Sequence, residues 1–409
     1  MFNSRQKRKG FMFLMMCTCI ISLLAAGEKE LPVHKQFSDD PAKPGIRISA
    51  FVQSIAYKGI QDEYAEYSDH FSIRRARLDS KFRLGKSVSG RIQGDLTCTP
   101  VLLDAYVDLK FGESVAFRMG RCKSPLSLER AQSVPSLLFN DFAYTAGIAP
   151  NRDIGIAYRG RYIHGVLDLQ LAYMNGAGFG ASSSGDPDDA KDWVVHLGFA
   201  PPVSAAGEGE SSLLIAAGAS GGTRNGDALH CLKTPAGTDV FRYPASVTAR
   251  GKMYRCSPQF RWVSPRVFVL GEYILADYGI ADTSGQGLRV RDRAWTLSAG
   301  YVISGAERSV NGVTLSENAN ISAGGKGAFE LAARIHGFHA DPELFDVFVS
   351  PSRCAERVFS LETGLNWYYA DKSCIRLLYT RSIFEKGAIS GDRRPENTVL
   401  LSIDLTGGT

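Results

Sequence analysis

The chain has 409 residues, of which 44% are hydrophobic and 22% charged, and its formal net charge at pH 7 is +5. No apolar run after residue 27 reaches the ~20 residues that a spanning helix needs, so a bundle of membrane helices is excluded. Without residues 1–27, which hold four cations and no acids, the charge is 43 − 42 = +1. A nucleic-acid binder is more often basic overall, so we expect no nucleic-acid partner.

Residues 1–27 predict a cleaved signal peptide. Four cations lie within residues 5–9, an apolar run follows over residues 11–24, and small residues at 25–27 suit a cleavage site. The alternative is a single membrane anchor, but the run is shorter than the ~20 residues of a spanning helix. We therefore expect an exported chain with a leader at residues 28–45 and a barrel over 46–409.

Strict alternation of apolar and polar residues begins in the segment FSIRRARLDSKFRL, residues 71–84. Successive side chains of a strand point to opposite faces. One face therefore carries Arg75, Arg77, Asp79, Lys81 and Arg83, whereas Leu78, Phe82 and Leu84 lie on the other. Residues 88–97 and 102–111 repeat the pattern, which is typical of a transmembrane β-barrel with one lipid face and one wet face.

Alternation and turn residues predict about sixteen strands, an even number as in bacterial outer-membrane barrels. They lie near residues 46–57, 71–85, 88–97, 102–111, 115–122, 154–161, 164–176, 192–202, 212–222, 246–262, 265–279, 294–305, 328–341, 358–371, 373–386 and 397–406. The alternation is least regular in 246–262 and 265–279. The predicted fold is all-β, a transmembrane antiparallel β-barrel of about sixteen strands.

Short and long connections alternate between these predicted strands. Short turns are predicted at 85–87, 112–114, 162–163, 263–264 and 371–372, and long loops at 58–70, 123–153, 177–191, 223–245, 280–293, 342–357 and 387–396. Two connections depart from the rule, a short one at 98–101 and a long one at 306–327. Short inner turns and longer outer loops are expected of a membrane barrel, and a soluble sandwich has no reason to show them.

The segment 123–153 is predicted to fold into the barrel and constrict it. It contains Leu137, Leu138, Phe139, Phe142 and Tyr144, an apolar content that is unfavourable for a loop in water. The alternatives are packing over the barrel mouth or against a neighbouring subunit.

Cations are concentrated in the same part of the chain, because residues 71–161 hold 15 Lys and Arg against 8 Asp and Glu. Predicted lumen cations on strands are Arg75, Arg77, Lys81, Arg83, Arg91 and Arg118, and the constriction segment adds Lys123, Arg130 and Arg152. A cation-lined lumen raises the local concentration of anions and favours their passage. The alternative is a neutral lumen in which these cations pair with Asp79, Asp95, Asp104 and Asp108.

No spacing of histidines, acids or cysteines predicts a catalytic or metal site, so we expect no enzyme and no cofactor. Six cysteines follow residue 27, namely Cys98, Cys122, Cys231, Cys256, Cys354 and Cys374. In an exported chain they permit disulfides or cross-links to neighbouring envelope proteins, or they are simply small buried residues.

The segments FSIRRARLDSKFRLG, LLDAYVDLKF, FRMGRCKSPLSLER and APNRDIGIAYRGR, all within residues 71–161, resemble the phosphate-selective porin O and P family. The resemblance implies a sixteen-stranded, usually trimeric outer-membrane barrel with a cation-lined constriction. It also implies that Arg121 and Lys123, in the GRCKSP motif, and Arg75 and Arg77, in RRAR, are positions of interest.

We therefore predict a porin in the outer membrane of a Gram-negative bacterium, in contact with outer-membrane lipid and forming a homotrimer. It would pass small anions, with phosphate or polyphosphate favoured, and would carry out no chemical step. Two alternatives stay open: a structural envelope protein cross-linked through its cysteines, and an enzyme built on the barrel wall.

Overall fold

A computed structural model describes residues 43–61, 69–99, 101–180, 182, 185, 189–203 and 211–408, and every structural statement below concerns these residues. The predicted signal peptide and nearly all of the predicted leader lie outside them. No helix in the described part of the chain is long and apolar enough to cross a membrane.

Sixteen long strands form one antiparallel sheet. They are β1 (Gly45–Gln61), β2 (Asp69–Leu84), β3 (Val88–Asp95), β4 (Leu102–Phe111), β5 (Val115–Lys123), β6 (Arg152–Tyr162), β7 (Leu167–Met174), β8 (Asp192–Phe199), β9 (Ser211–Asp227), β10 (Thr248–Val263), β11 (Val267–Ala281), β12 (Gly287–Ser304), β13 (Ala328–His339), β14 (Ala355–Ala370), β15 (Ser373–Ala388) and β16 (Glu396–Gly408). The predicted sixteen-stranded fold is confirmed.

The sheet closes on itself, because β16 pairs antiparallel with β1 from Ser49↔Gly408 to Gln61↔Asn397. All remaining pairings in the barrel join strands that follow one another in the sequence. Closure leaves no strand edge without hydrogen-bond partners, which is the condition for crossing a bilayer with strands.

Strand β12 shows the two faces of the wall most clearly. Val290, Asp292 and Ala294 have 0% of their surface exposed, whereas Leu297 and Tyr301 are 41% and 46% exposed. No described residue covers the second set, so the exposed apolar side chains of the strand lie outside and the alternate, buried side chains lie inside. This is the arrangement of a barrel whose surroundings are lipid.

Short turns lie at one end of the barrel, which we call the inner end. Residues 85–87, 112–114, 264–266 and 371–372 each join two strands there. Gly85 and Gly112 adopt φ values of +75° and +70°, a conformation that glycine reaches without steric cost. The opposite, outer end carries the longer connections, in agreement with the predicted alternation.

The long inner connection, residues 305–327, folds back into the barrel. Its hairpin pairs Ala306–Ser309 with Gly312–Leu315, and Val313 packs with Val302 and Tyr368 of the wall. Two 3-10 turns, Glu317–Ala319 and Ile321–Ala323, complete it. The connection is long because it fills space inside the barrel.

Two predicted boundaries differ from the structure. The irregular segment 246–262 is strand β10, and a shift of its register to β11 between Ala249 and Met253 accounts for the broken alternation. The predicted loop 280–293 is mostly strand, because β12 begins at Gly287. The outward side chains at the start of β12 are arginines, so this part of the sequence lacks the alternation of apolar and polar residues.

The remaining elements are short. Helices α1 (Leu128–Ala131) and α2 (Thr145–Ile148) and a 3-10 turn at Val134–Ser136 lie between β5 and β6, and helix α3 (Leu344–Val347) lies between β13 and β14. A hairpin of Cys231–Lys233 and Asp239–Arg242 lies between β9 and β10. Pro202–Val203 pairs with β9, and Gly391–Asp392 pairs with β15.

The absence of a side chain at Gly218 of β9 lets residues 124–151 approach the wall. A Cβ atom built there would lie 2.1 Å from the carbonyl oxygen of Leu126, far inside van der Waals contact. We expect Gly218→Ala to destabilise the refolded barrel by about 1–3 kcal/mol, the usual cost of overpacking. Denaturant unfolding measured by the heat-modifiable shift of the barrel on gels would test this. The control is Gly407→Ala, where nothing lies within 4 Å, and equal stability of the two variants would contradict the prediction.

Candidate functional site

Residues 124–151, which we call the lumen segment, lie inside the barrel. Four of its carbonyl oxygens accept hydrogen bonds from inward side chains of four different strands. These bonds are Arg376 Nη2 to Leu137 O at 3.0 Å, Asn366 Nδ2 to Leu138 O at 3.0 Å, Arg75 Nη1 to Asn140 O at 2.8 Å and Arg334 Nη1 to Asp141 O at 3.0 Å. The polar inner wall thus donates hydrogen bonds to backbone carbonyl groups of the lumen segment. An apolar wall would leave these carbonyl groups without partners.

The same segment is held to β10 and β11 by side chains that accept from its backbone. Gln259 Oε1 accepts from the Leu128 N–H at 2.9 Å, and Glu272 Oε2 accepts from the Glu129 N–H at 2.8 Å. Leu137, Leu138 and Phe139 are at most 3% exposed. The lumen segment therefore covers the inner faces of β10–β15.

The carboxylate of Asp141 joins the lumen segment to β2, the neighbour of β1 at the place where β1 and β16 close the barrel. In β2 the pairing with β1 skips one residue, so that Gln53 faces Arg75 and Ser54 faces Ile73. This bulge brings both Arg74 and Arg75 to Asp141, and Arg75 Nη2 lies 2.8 Å from Asp141 Oδ1. Strict alternation would place Arg74 on the outward face, so its contact with Asp141 depends on the bulge.

Arg130, a predicted anion contact, is committed to the backbone of its own segment. Its Nε and Nη2 donate to Ala146 O at 2.8 and 2.5 Å. Burial lowers the pKa of Arg130 to about 10. Its neighbour Glu129 is buried as well and lies 3.5 Å from Arg334, and its burial raises the pKa of that carboxyl group.

The lumen segment separates two cavities. The inner cavity, of about 320 Å³, lies between the lumen segment and the wall of β2–β8. The outer cavity, of about 460 Å³, lies on the other side and is lined by Arg74, Arg130 and Lys233 among others. Cations lining the inner cavity are Arg77, Arg91, Arg118, Lys123, Arg152 and Arg159.

Four of these cations pair with carboxylates of the same wall. The pairs are Arg77 Nε to Asp95 Oδ2 at 2.8 Å, Arg91 Nε to Asp79 Oδ1 at 2.7 Å, Arg118 Nε to Asp108 Oδ1 at 2.7 Å and Arg152 Nε to Asp104 Oδ1 at 2.7 Å. Four arginines thus meet four aspartates. Their charges largely cancel, as in the alternative that the sequence left open.

Two cations of the inner cavity have no carboxylate partner among the described residues. Lys123 Nζ donates to the carbonyl oxygens of Ala131 and Gln132 at 3.4 and 2.5 Å. The Arg159 side chain is half-buried and forms no hydrogen bond or ion pair with any described residue. The guanidinium group of Arg159 therefore carries positive charge that no ion pair with a described residue balances.

Arg159 was missed as a site residue, although alternation in IAYRGR places it on the inward face with Ala157. Its cross-strand neighbours are Ala116 and Gln170, and His196 follows Gln170 in the same row. Gln170 and His196 both line the inner cavity. Both contact a carboxylate, because Gln170 Nε2 donates to Asp168 Oδ1 at 2.9 Å and His196 Nδ1 lies 3.7 Å from the same oxygen. Among these three side chains, only Arg159 is without such a contact.

The other predicted site residues lie elsewhere. Arg75 is buried in the Asp141 contact, and Lys81 and Arg83 lie nearer the inner end of β2. Arg121 is 5% exposed, donates from Nε to Leu103 O at 3.0 Å and does not line either cavity.

The family model of the phosphate-selective porin O and P proteins matches residues 45–382. The chain belongs to this family. It is accordingly an outer-membrane porin, as the sequence predicted. No curated protein sequence matches it.

Solved outer-membrane channels share the fold of this porin at low sequence identity. The channel DcaP of Acinetobacter baumannii matches with a TM-score of 0.56 and 12% identity over 92% of this chain and 100% of that one. The trimer form of OmpT of Vibrio cholerae has a TM-score of 0.53 and 9% identity, over 89% and 99% of the two chains. OprB of Pseudomonas putida has a TM-score of 0.52 and 10% identity, over 90% and 95%.

The six cysteines in the described part of the chain form no disulfide with one another. Cys122, Cys354 and Cys374 are buried, whereas Cys98 and Cys256 are exposed. No group of three or more His, Cys, Asp and Glu residues among those described is arranged to hold a metal ion.

Lowering the pH should remove the stability that the ion pairs of Asp141 give to the folded state. Burial alone would raise the pKa of this carboxyl group, but Arg75 and Arg74 hold it well below its usual range. A depressed pKa stabilises the folded state above the unfolded value of about 4, and the contribution is lost as the pH falls below it. We expect Asp141→Asn to flatten the loss of stability between pH 6 and pH 3.

Denaturant unfolding of the refolded porin at the two pH values measures this effect. The matched control is Asp346→Asn, since Asp346 is exposed and forms no ion pair with a described residue. A pH dependence in Asp141→Asn as steep as that of wild type and of the control would refute the assignment.

Proposed function

We propose that this porin passes small anions, with phosphate or polyphosphate favoured, through the inner cavity. The observation that carries the proposal is Arg159, a guanidinium group that faces the cavity without a carboxylate partner among the described residues. A net positive potential in a narrow, protein-walled space concentrates anions.

Passage requires that an anion exchange part of its hydration shell for protein N–H groups and then leave. Arg159 can supply such donors on one wall of the cavity. Because most cations of the cavity are paired with carboxylates, binding stays weak enough for release, which conduction requires. No chemical step is involved.

Phosphate suits these donors better than chloride does. The guanidinium fork presents parallel N–H groups that match two oxygens of a phosphate. Arg77 could assist, because it lines the cavity and is bound to Asp95 through Nε alone. Arg91 is less available, since Nε and Nη2 are bound to Asp79 and Nη1 lies 3.1 Å from Asp104.

We further propose that the lumen segment is the constriction and that Arg75 and Arg130 brace it. Arg118 and Arg152 would keep the wall polar through their ion pairs. The chain would be exported with residues 1–27 removed and would assemble as a homotrimer in contact with outer-membrane lipid. OmpT of Vibrio cholerae, which shares the fold, is described in a trimer form. No observation favours the cross-linked structural role.

Removal of the lone cation should weaken anion selectivity. We expect Arg159→Gln to lower the anion-to-cation permeability ratio, and to raise the phosphate concentration that half-blocks the chloride current, by about fivefold. One unit charge 4 Å from an anion contributes about 1 kcal/mol even at the dielectric constant of water. Planar-bilayer reversal potentials in a KCl gradient, followed by titration with phosphate, measure both quantities.

The matched control removes a neutral pair, with Arg118→Gln and Asp108→Asn in one variant. It deletes a guanidinium group from the same cavity without changing the net charge, so the permeability ratio should stay within about twofold of wild type. Equal losses in the two variants would remove the support for Arg159. Cation selectivity of the wild-type channel would overturn the anion proposal itself.

A further inference from the structure

A cluster of cations lies on the outward face of the barrel near its outer end. We call it the rim patch, and its residues are Lys252, Arg289, Arg291, Arg293 and Arg357, which are all exposed. On β12 the arginines alternate with Val290, Asp292 and Ala294, whose side chains are fully buried inside. The three arginines therefore point away from the lumen.

The positive charge of the rim patch is only partly compensated. Arg289 and Arg291 share one carboxylate, Asp277, with Arg291 Nε at 2.7 Å from Oδ2. Arg357 Nη1 lies 3.0 Å from Glu385 Oε2. Arg357 also lies 3.8 Å from Glu356, but that carboxylate is bound by Lys386 at 2.7 Å.

Arg293 and the Lys252 side chain form no ion pair with any described residue. Five cations therefore meet three nearby carboxylates, Asp277, Glu385 and Asp341, the last of which accepts from the Arg291 N–H at 2.8 Å. Repulsion among cations at this density is unfavourable without an external anion.

An aromatic row lies directly below the rim patch. In the ladder, Tyr273 pairs with Trp295, Trp295 with Gly337, and Gly337 with Phe359. The rings of Trp295 and Phe359 are 6.1 Å apart. Such rows of aromatic rings lie at the boundary between acyl chains and headgroups, so the cations above them stand at headgroup level.

The other end of β12 has no comparable charge. Below Trp295, the outward residues are Leu297, Ala299, Tyr301 and Ile303, which reach the inner end of the strand. Because the outer end carries the long connections, the cationic end faces the outer leaflet. The asymmetry along one strand suggests a ligand that is present in that leaflet alone.

We propose that the rim patch binds the phosphate-bearing glycolipid headgroups of the outer leaflet. Arginine forks match phosphate oxygens bidentately, and closely spaced arginines suit a headgroup with more than one phosphate. The patch faces lipid, whereas Arg159 faces the lumen, so this binding is independent of anion passage. It would anchor the barrel at a fixed depth in an asymmetric membrane.

Binding of diphosphoryl lipid A to the full-length, refolded porin in detergent tests the proposal, with native mass spectrometry as the readout. Dephosphorylated lipid A and phosphatidylglycerol serve as comparison ligands. We expect the wild type to bind diphosphoryl lipid A at least tenfold more tightly than either. The variant Arg289→Gln, Arg291→Gln, Arg293→Gln should lose at least tenfold in that affinity, since each cation near a charged headgroup contributes to binding.

A matched control removes three exposed cations from the inner end, with Lys86→Gln, Arg266→Gln and Lys326→Gln. Its affinity for diphosphoryl lipid A should stay within twofold of the wild type. Equal losses in the two triple variants would overturn the proposal. Equal binding of phosphatidylglycerol and diphosphoryl lipid A by the wild type would also overturn it, in favour of a general affinity for anionic membranes.

A gain in affinity provides a test that does not depend on whether the arginine variant folds. Asp277→Asn removes the carboxylate that Arg289 and Arg291 share and frees both for the headgroup. We expect its affinity for diphosphoryl lipid A to rise at least threefold, with phosphate block of the channel unchanged. Unchanged or weaker lipid binding in this variant would contradict the proposal.

Discussion

The buried carboxylate of Asp404 ties the closure of the barrel to the position of the lumen segment. It accepts from Gln53 Nε2 at 3.0 and 3.1 Å and from Ser402 Oγ at 2.7 Å, and it pairs with Arg376. Gln53 lies on the first strand and Asp404 on the last. Arg376 in turn donates to the carbonyl oxygen of Leu137 in the lumen segment. Leaving one member of a buried ion pair alone costs about 3–5 kcal/mol, so the seam and the lumen segment stabilise each other.

The interior of the barrel accordingly has two halves, one filled by chain and one left open. The lumen segment and the connection 305–327 fill the side of β10–β15, and Arg308 joins them by contacting both Ser136 O and Glu330. The side of β2–β8 is left open, and its wall carries the alternating arginines and aspartates. The asymmetric filling would therefore place the proposed path for solute along the wall that carries these alternating charges.

Alternation predicted the sixteen strands well because a lipid face and a wet face impose a period of two on every strand. It could not predict which charges pair, since this depends on register between strands. Arg91 faces Lys81 across the ladder, yet its side chain reaches Asp79 and Asp104. The bulge that turns Arg74 inward leaves no simple mark in the sequence either. The predicted site therefore included arginines that are neutralised and omitted Arg159.

The arginines of this porin fall into three groups according to what their side chains contact. Where the partner is a backbone carbonyl of the lumen segment, as for Arg376, the guanidinium braces the fold. Where it is a carboxylate across the ladder, as for Arg118, the wall stays polar but nearly neutral. Where the side chain forms no ion pair with a described residue, as for Arg159 inside and Arg293 outside, the charge would be available to an external anion. Selectivity in the lumen and attachment to the leaflet would thus both depend on the few cations that the folded chain does not compensate.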